Sequence, residues 1–94
     1  MSFLNEITVV VVNYNSKLVI GDCIKPIANV AEIIVVDNAS EDDSVDYIKS
    51  RFPDVSFILN TKNLGFGSGI NLGFQASGTK YTLVISPDTE ICIE

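Results

Sequence analysis

Hydrophobic residues fall in short dense runs separated by polar stretches of helical length, and the first run, residues 7–12 (ITVVVV), is almost continuously apolar. Similar runs follow at residues 32–36 (EIIVV), 55–59 (VSFIL) and 81–85 (YTLVI), each of strand length and rich in β-branched or aromatic residues. The first, second and fourth hardly alternate. That is the pattern of strands covered on both faces, and it predicts a mostly parallel sheet.

The stretches between them carry helical signals. Ser40 followed by Asp43 reads as a capping box opening a helix over residues 40–51, with Glu41, Asp42 and Asp43 at the positive end of its dipole and Lys49 and Arg51 at the negative end. Val45, Ile48 and Phe52 supply its apolar stripe. Residues 17–30 predict a weaker helix, interrupted by Gly21 and Pro26. Phe66, Ile70 and Phe74 recur every four residues, so a Gly-rich turn leads into a third helix. The expected architecture is α/β, a Rossmann-like βαβαβαβ order with right-handed crossovers and helices on both faces of the sheet.

Length and charge narrow the function. Ninety-four residues allow one domain. The formal net charge is −6, and the cations Lys17, Lys25, Lys49, Arg51, Lys62 and Lys80 are scattered. Nucleic acid needs a basic stripe to displace counterions, so it is excluded as a partner, whereas an anionic nucleotide bridged by a divalent cation is not. The opening MSFLNE lacks the basic segment of a signal peptide and no apolar run approaches bilayer length, which implies a cytoplasmic setting. Cys23 and Cys92 lack metal-ligand spacing and are expected as small core residues without a disulfide.

In an open parallel sheet, ligands bind beyond the carboxyl ends of the strands. Here those ends are Asn13, Tyr14 and Asn15; Asp37 and Asn38; Asn60, Thr61, Lys62 and Asn63; and Ser86, Pro87 and Asp88. Any one of these residue types favours turns and caps for local reasons, but four polar ends together point to a binding site. The glycine-dense segment at residues 63–71 follows the third run and does not match G-x-G-x-x-G, which argues against a nicotinamide enzyme. A receiver-like signalling domain would want an acid pair at the first strand end, where this chain has Asn13 and Asn15.

In order and spacing, VVVVNYNS, EIIVVDNASEDDS, NTKNLGFGSGINLGF and LVISPDTEI resemble the first half of family 2 glycosyltransferases, in particular the rhamnosyltransferase-like branch, over residues 7–91. The resemblance implies that residues 1–94 form the nucleotide-sugar-binding half of a glycosyltransferase A-type fold. It implies a UDP- or dTDP-sugar donor, Mg2+ or Mn2+, and a glycan or lipid-linked acceptor, as in cell wall or polysaccharide biosynthesis.

The same resemblance assigns residues. Asn13, Tyr14 and Asn15 would pack beside the base and ribose, with the Tyr14 ring as one wall. Asp37, with Asn38 beside it, would accept a hydrogen bond from the uracil or thymine imide. Asn63, Gly65, Gly67 and Asn71 would let the backbone pass close to the sugar and diphosphate, with Asn63 and Asn71 shaping the turn and the helix start, and Gly73 would serve helix packing. Ser86-Pro87-Asp88 stands at the family's Asp-x-Asp metal motif; its first acid is replaced by Ser86, leaving Asp88 as the metal ligand and Glu90 as a further acid nearby.

In the resembled family the catalytic base follows the metal motif, so none is assigned within this chain. The chain is therefore expected to be the truncated donor half, inactive alone and self-associating through the edge of its fourth strand or the neighbouring face, with the whole protein cytoplasmic or peripheral at the inner face of a membrane. The alternative is a catalytically inactive nucleotide-binding or protein-interaction fragment of the same fold.

Overall fold

The structure, a computed structural model, describes residues 6–88. Strands β1 (Ile7–Asn13), β2 (Glu32–Asn38), β3 (Ser56–Asn60) and β4 (Tyr81–Ile85) alternate with helices α1 (Lys17–Ile24), α2 (Ser44–Arg51) and α3 (Phe66–Ala76). They form one sheet of order β3-β2-β1-β4, and every neighbouring pair is parallel. This is the expected Rossmann-like α/β arrangement. Among the described residues no helix is long and apolar enough to cross a membrane.

Alternation along β1 divides the core. Val9 and Val11 face α1 and α2, packing with Ile20, Cys23, Ile24 and Ile48, whereas Val10 and Val12 face α3 with Ile34 and Val36. Both central strands are thus buried on two faces, as their apolar runs predict. Strand β4 departs from that expectation. It lies at the sheet edge, and its alternate residues Tyr81 and Leu83 stay half exposed.

The helices differ from expectation in three places. Pro26 ends α1 as foreseen, the chain tightening into a 3-10 turn, Lys25–Ile27, but Gly21 does not interrupt the helix. A Cβ on Gly21 would stand 3.0 Å from the Tyr47 ring, so the glycine lets α1 and α2 pack closely. Helix α2 begins at Ser44 rather than Ser40, after Asp43 in the left-handed region with φ 62. Its first N–H is satisfied by Asp42, whose Oδ1 accepts from Ser44 N at 3.1 Å, because the Ser40 hydroxyl is engaged elsewhere.

Helix α3 meets the sheet through glycine. Gly69 and Gly73 are its buried residues, lying over Val12 and Val10, while Phe66 and Phe74 turn outward at 54% and 64% exposure. Only Ile70 of that apolar stripe joins the core, alongside Leu72. Residues spaced four apart share a face, and here the closest approach belongs to the face without side chains.

Candidate functional site

Sheet order places the site. The β1-to-β2 and β2-to-β3 crossovers step in one direction and the β3-to-β4 crossover returns past β1, so the direction of winding switches between β1 and β4. In open parallel sheets the crevice at that switch, beyond the carboxyl ends, is where ligands bind. On one side it is flanked by Tyr14 and Asn15, which follow β1, and on the other by Ser86, Pro87 and Asp88, which follow β4.

A buried polar cluster lies at the carboxyl ends of β1 and β2. Asn13 and Asp37 are register partners across β1 and β2, and both are buried. Asn13 Nδ2 donates to Asp37 Oδ1 at 2.8 Å and to Ser44 Oγ at 2.7 Å, with Ser40 Oγ at 3.2 Å. The second carboxylate oxygen of Asp37 accepts from Ser40 N at 3.0 Å. The side chain of Asn13 therefore does not border the crevice as expected; the sequence puts an amide at the end of a fully covered strand, and it underlies Asp37 instead.

The loops after β1 and β2 are stitched together. Asn15 N donates to Ser40 Oγ at 2.9 Å, Asn15 Oδ1 accepts from Glu41 N at 2.7 Å, and Lys17 N donates to Asp42 Oδ2 at 2.9 Å. Burial works against the charge of Asp42, but hydrogen bonds from the Ser44 hydroxyl and from the backbone of Lys17 and Ser44 outweigh it and hold this carboxyl below its usual range. Asn15, Ala39 and Asp43 all have positive φ. Asn and Asp tolerate that region, whereas alanine does so at a cost, and such strain concentrates where surrounding contacts dictate the backbone. Tyr14, between the two asparagines, projects outward and is half exposed.

A second network shapes the glycine segment. Asn38, also buried, donates through Nδ2 to Gly65 O at 3.1 Å, while its Oδ1 accepts from Asn60 Nδ2 at 2.8 Å. Asn63 Oδ1 accepts from Gly65 N at 2.8 Å, closing the turn, and Gly65 itself has φ 89. Asn71 is not part of this turn: it sits inside α3, exposed, beyond the first helical turn. Gly67, in that first turn, has open space around it, and no acidic residue stands there to compete for the free N–H groups.

At the end of β4, Ser86 Oγ donates to Asp88 Oδ1 at 2.5 Å, and both residues are exposed. Among the described residues no three His, Cys, Asp or Glu gather into a metal-binding group. Cys23 lies below this turn, its thiol directed at Ser86 O at 3.7 Å. Glu90 and Cys92 fall outside the described residues. Sequence reasoning passed over Ser44, noted Asn60 only as part of a polar strand end, and gave Ser40 the helix cap; only the three-dimensional pairing of loops reveals their partners.

Known proteins resemble this chain in sequence and in fold. The profile of the family described as Glycosyl transferase family 2 matches residues 8–92. A low-salt glycan biosynthesis hexosyltransferase of Haloferax volcanii is 31% identical over 94 residues, covering 96% of this chain and 30% of its own length. The crystal structure of S. aureus TarS residues 1–349 superposes with a TM-score of 0.81 at 20% identity, over 90% of this chain and 28% of that one. The same protein in complex with UDP gives 0.80 at 20% identity, over 88% and 27%. This chain thus spans under a third of the length of those relatives, and with its matched profile running from β1 beyond β4 it belongs to glycosyl transferase family 2.

Proposed function

We propose that this chain is the donor-binding part of a glycosyltransferase that takes a pyrimidine nucleotide sugar, UDP- or dTDP-linked, and passes the sugar to a glycan or lipid-linked acceptor. The observation that carries the reading is the switch point itself. A buried, hydrogen-bonded carboxylate (Asp37), an outward aromatic ring (Tyr14) and an exposed carboxylate (Asp88) stand at the carboxyl ends of three adjacent strands, β2, β1 and β4. The UDP complex of the structurally similar TarS protein supports a nucleotide ligand.

Each part has a chemical task. The Tyr14 ring offers a flat surface for the base, and Asp37 accepts a hydrogen bond from an imide N–H. The first turn of α3, which follows Gly65 and contains Gly67, would offer backbone N–H groups to the diphosphate. Asp88 would hold Mg2+ or Mn2+, and a single carboxylate suits such a cation when diphosphate oxygens and water complete its shell. The bound ion would neutralise the departing nucleoside diphosphate. The motif pattern also favours the rhamnosyltransferase-like branch, and a complete enzyme would work at the inner face of a membrane.

The test is thermal unfolding in the presence of nucleotides. UDP or dTDP with Mn2+ is expected to raise the melting temperature more than ADP or GDP, since ligand binding stabilises the folded state. Equal shifts for all four would remove the assignment.

A further inference from the structure

The amide of Asn13 is a liability to the core except through what its nitrogen does. The residue is fully buried, and its Oδ1 has no hydrogen-bond partner, although a buried, unpartnered carbonyl opposes folding. An apolar side chain continuing the run of β1 would carry no such cost. Its Nδ2 bears two hydrogens, and the two shortest contacts, to Ser44 Oγ and Asp37 Oδ1, account for them. With Ser40 N on the other oxygen, the Asp37 carboxylate is gripped at both ends and its plane is fixed. Asp37 is 4% exposed, so little of it remains to meet a ligand and its orientation decides what that part can accept.

We infer that Asn13 is a positioning residue: by holding Oδ1 of Asp37 it aims the carboxylate and so sets the preference for a base that carries an N–H at its pairing edge over one that carries a lone pair there. This rests on the reading of Asp37 as the group that meets the base. Uracil and cytosine differ in that respect at N3, a donor in one and an acceptor in the other, while sharing ring size and diphosphate. A freely rotating carboxylate would still bind the cation-bridged nucleotide but would discriminate less.

The experiment compares UDP with CDP, each with Mn2+, by calorimetry on four forms of the chain. The unmodified chain and Ser44→Ala are expected to favour UDP, because Ser44→Ala removes the other acceptor of the same amide while leaving Asn13 on Asp37. Asn13→Leu, which matches the amide in size without its donor, is expected to lose about tenfold of the UDP-over-CDP ratio while binding CDP as before. Asp37→Asn is expected to abolish the ratio. Circular dichroism checks folding, and Asn13→Ser replaces Asn13→Leu if the latter does not fold. A folded Asn13 variant that keeps the full ratio, with Asp37→Asn losing it, overturns the positioning role alone. If Asp37→Asn also keeps it, Asp37 does not read the base and both readings fall. If Ser44→Ala loses the ratio as Asn13→Leu does, general loosening of the cluster is responsible and the specific role of Asn13 is overturned.

Discussion

Gly73 lies so close to Val10 that a Cβ placed on it would stand 2.3 Å from the Val10 Cγ1. Both belong to structure that cannot easily yield, since Val10 is fully buried in the central strand. Gly73→Ala is therefore expected to destabilise the fold by about 1–3 kcal/mol through overpacking. Gly67→Ala, with nothing within 4 Å of the added methyl, should stabilise by about 0.5–1 kcal/mol by restricting the unfolded chain. Urea unfolding reads both as opposite shifts of the midpoint. An unchanged midpoint for Gly73→Ala would mean that α3 does not pack on the sheet at this residue.

The same pair shows what could be read from the chain alone. Strands β1 and β2 are legible because β-branched runs covered on both faces have few alternatives, and Gly73 is legible as a packing residue. Which face of α3 meets the sheet is not legible from hydrophobicity, because Phe66 and Phe74 suggest one side while backbone approach is set by the glycines. At the site, the polar strand ends are visible in the sequence, but the assignment of Ser40 as a helix cap is not what forms. Its hydroxyl and N–H are taken by Asn13, Asn15 and Asp37, residues distant in sequence, so the helix start moves to Ser44. Local capping rules lose to a long-range network that only the parallel pairing of β1 and β2 creates.

Asp88 carries the expected metal dependence. On the proposed reading Asp88→Ala should lower Mn2+-supported UDP affinity by about tenfold or more without weakening metal-free binding, because the cation loses a carboxylate that would hold it while repulsion of the diphosphate falls. Ser86 now donates to Asp88. Ser86→Asp removes that donor and adds a second carboxylate, so it should strengthen the Mn2+ effect and raise repulsion at the site without metal. Titrations with and without EDTA separate the two, and an Asp88→Ala chain that responds to Mn2+ as the unmodified one does would leave Asp88 only a turn residue.

Cys23 links pH to stability. Burial, and then the negative charge of Asp88, push its thiol up to about 11 from an ordinary 9.0. The folded chain therefore keeps a proton that the unfolded chain releases, so the stabilisation is fully present below pH 9 and is lost as pH rises toward 11, an effect on the order of 2 kcal/mol. In a Cys92→Ser background, denaturant midpoints across that window should fall more steeply for the chain with Cys23 than for Cys23→Ala. Iodoacetamide at pH 8 should label the native Cys23 thiol far more slowly than the denatured one. Parallel pH slopes in the two forms would show that the thiol ionises as readily folded as unfolded.

The edge of the sheet sets the last expectation. Strand β4 pairs with β1 on one side, and among the described residues no strand pairs with the other. Leu83 is 45% exposed there, and with Ile7, Tyr81 and Thr82 it lines an open, mainly apolar hollow of about 260 Å3. Val84, its neighbour, faces the opposite way and packs on the cluster of Val10 and Val36, so a charge there would strike the core. An edge strand with exposed apolar side chains recruits another strand or surface. The 94-residue chain is thus expected to self-associate at micromolar concentration, and Leu83→Lys to return it to a monomer without loss of fold, because the lysine can extend into solvent from an edge position. Light scattering coupled to size exclusion distinguishes the two forms. If the unmodified chain elutes as a monomer over the whole concentration range, the edge is shielded by something other than pairing, and the apolar hollow beside Leu83 is too small to hold a second copy.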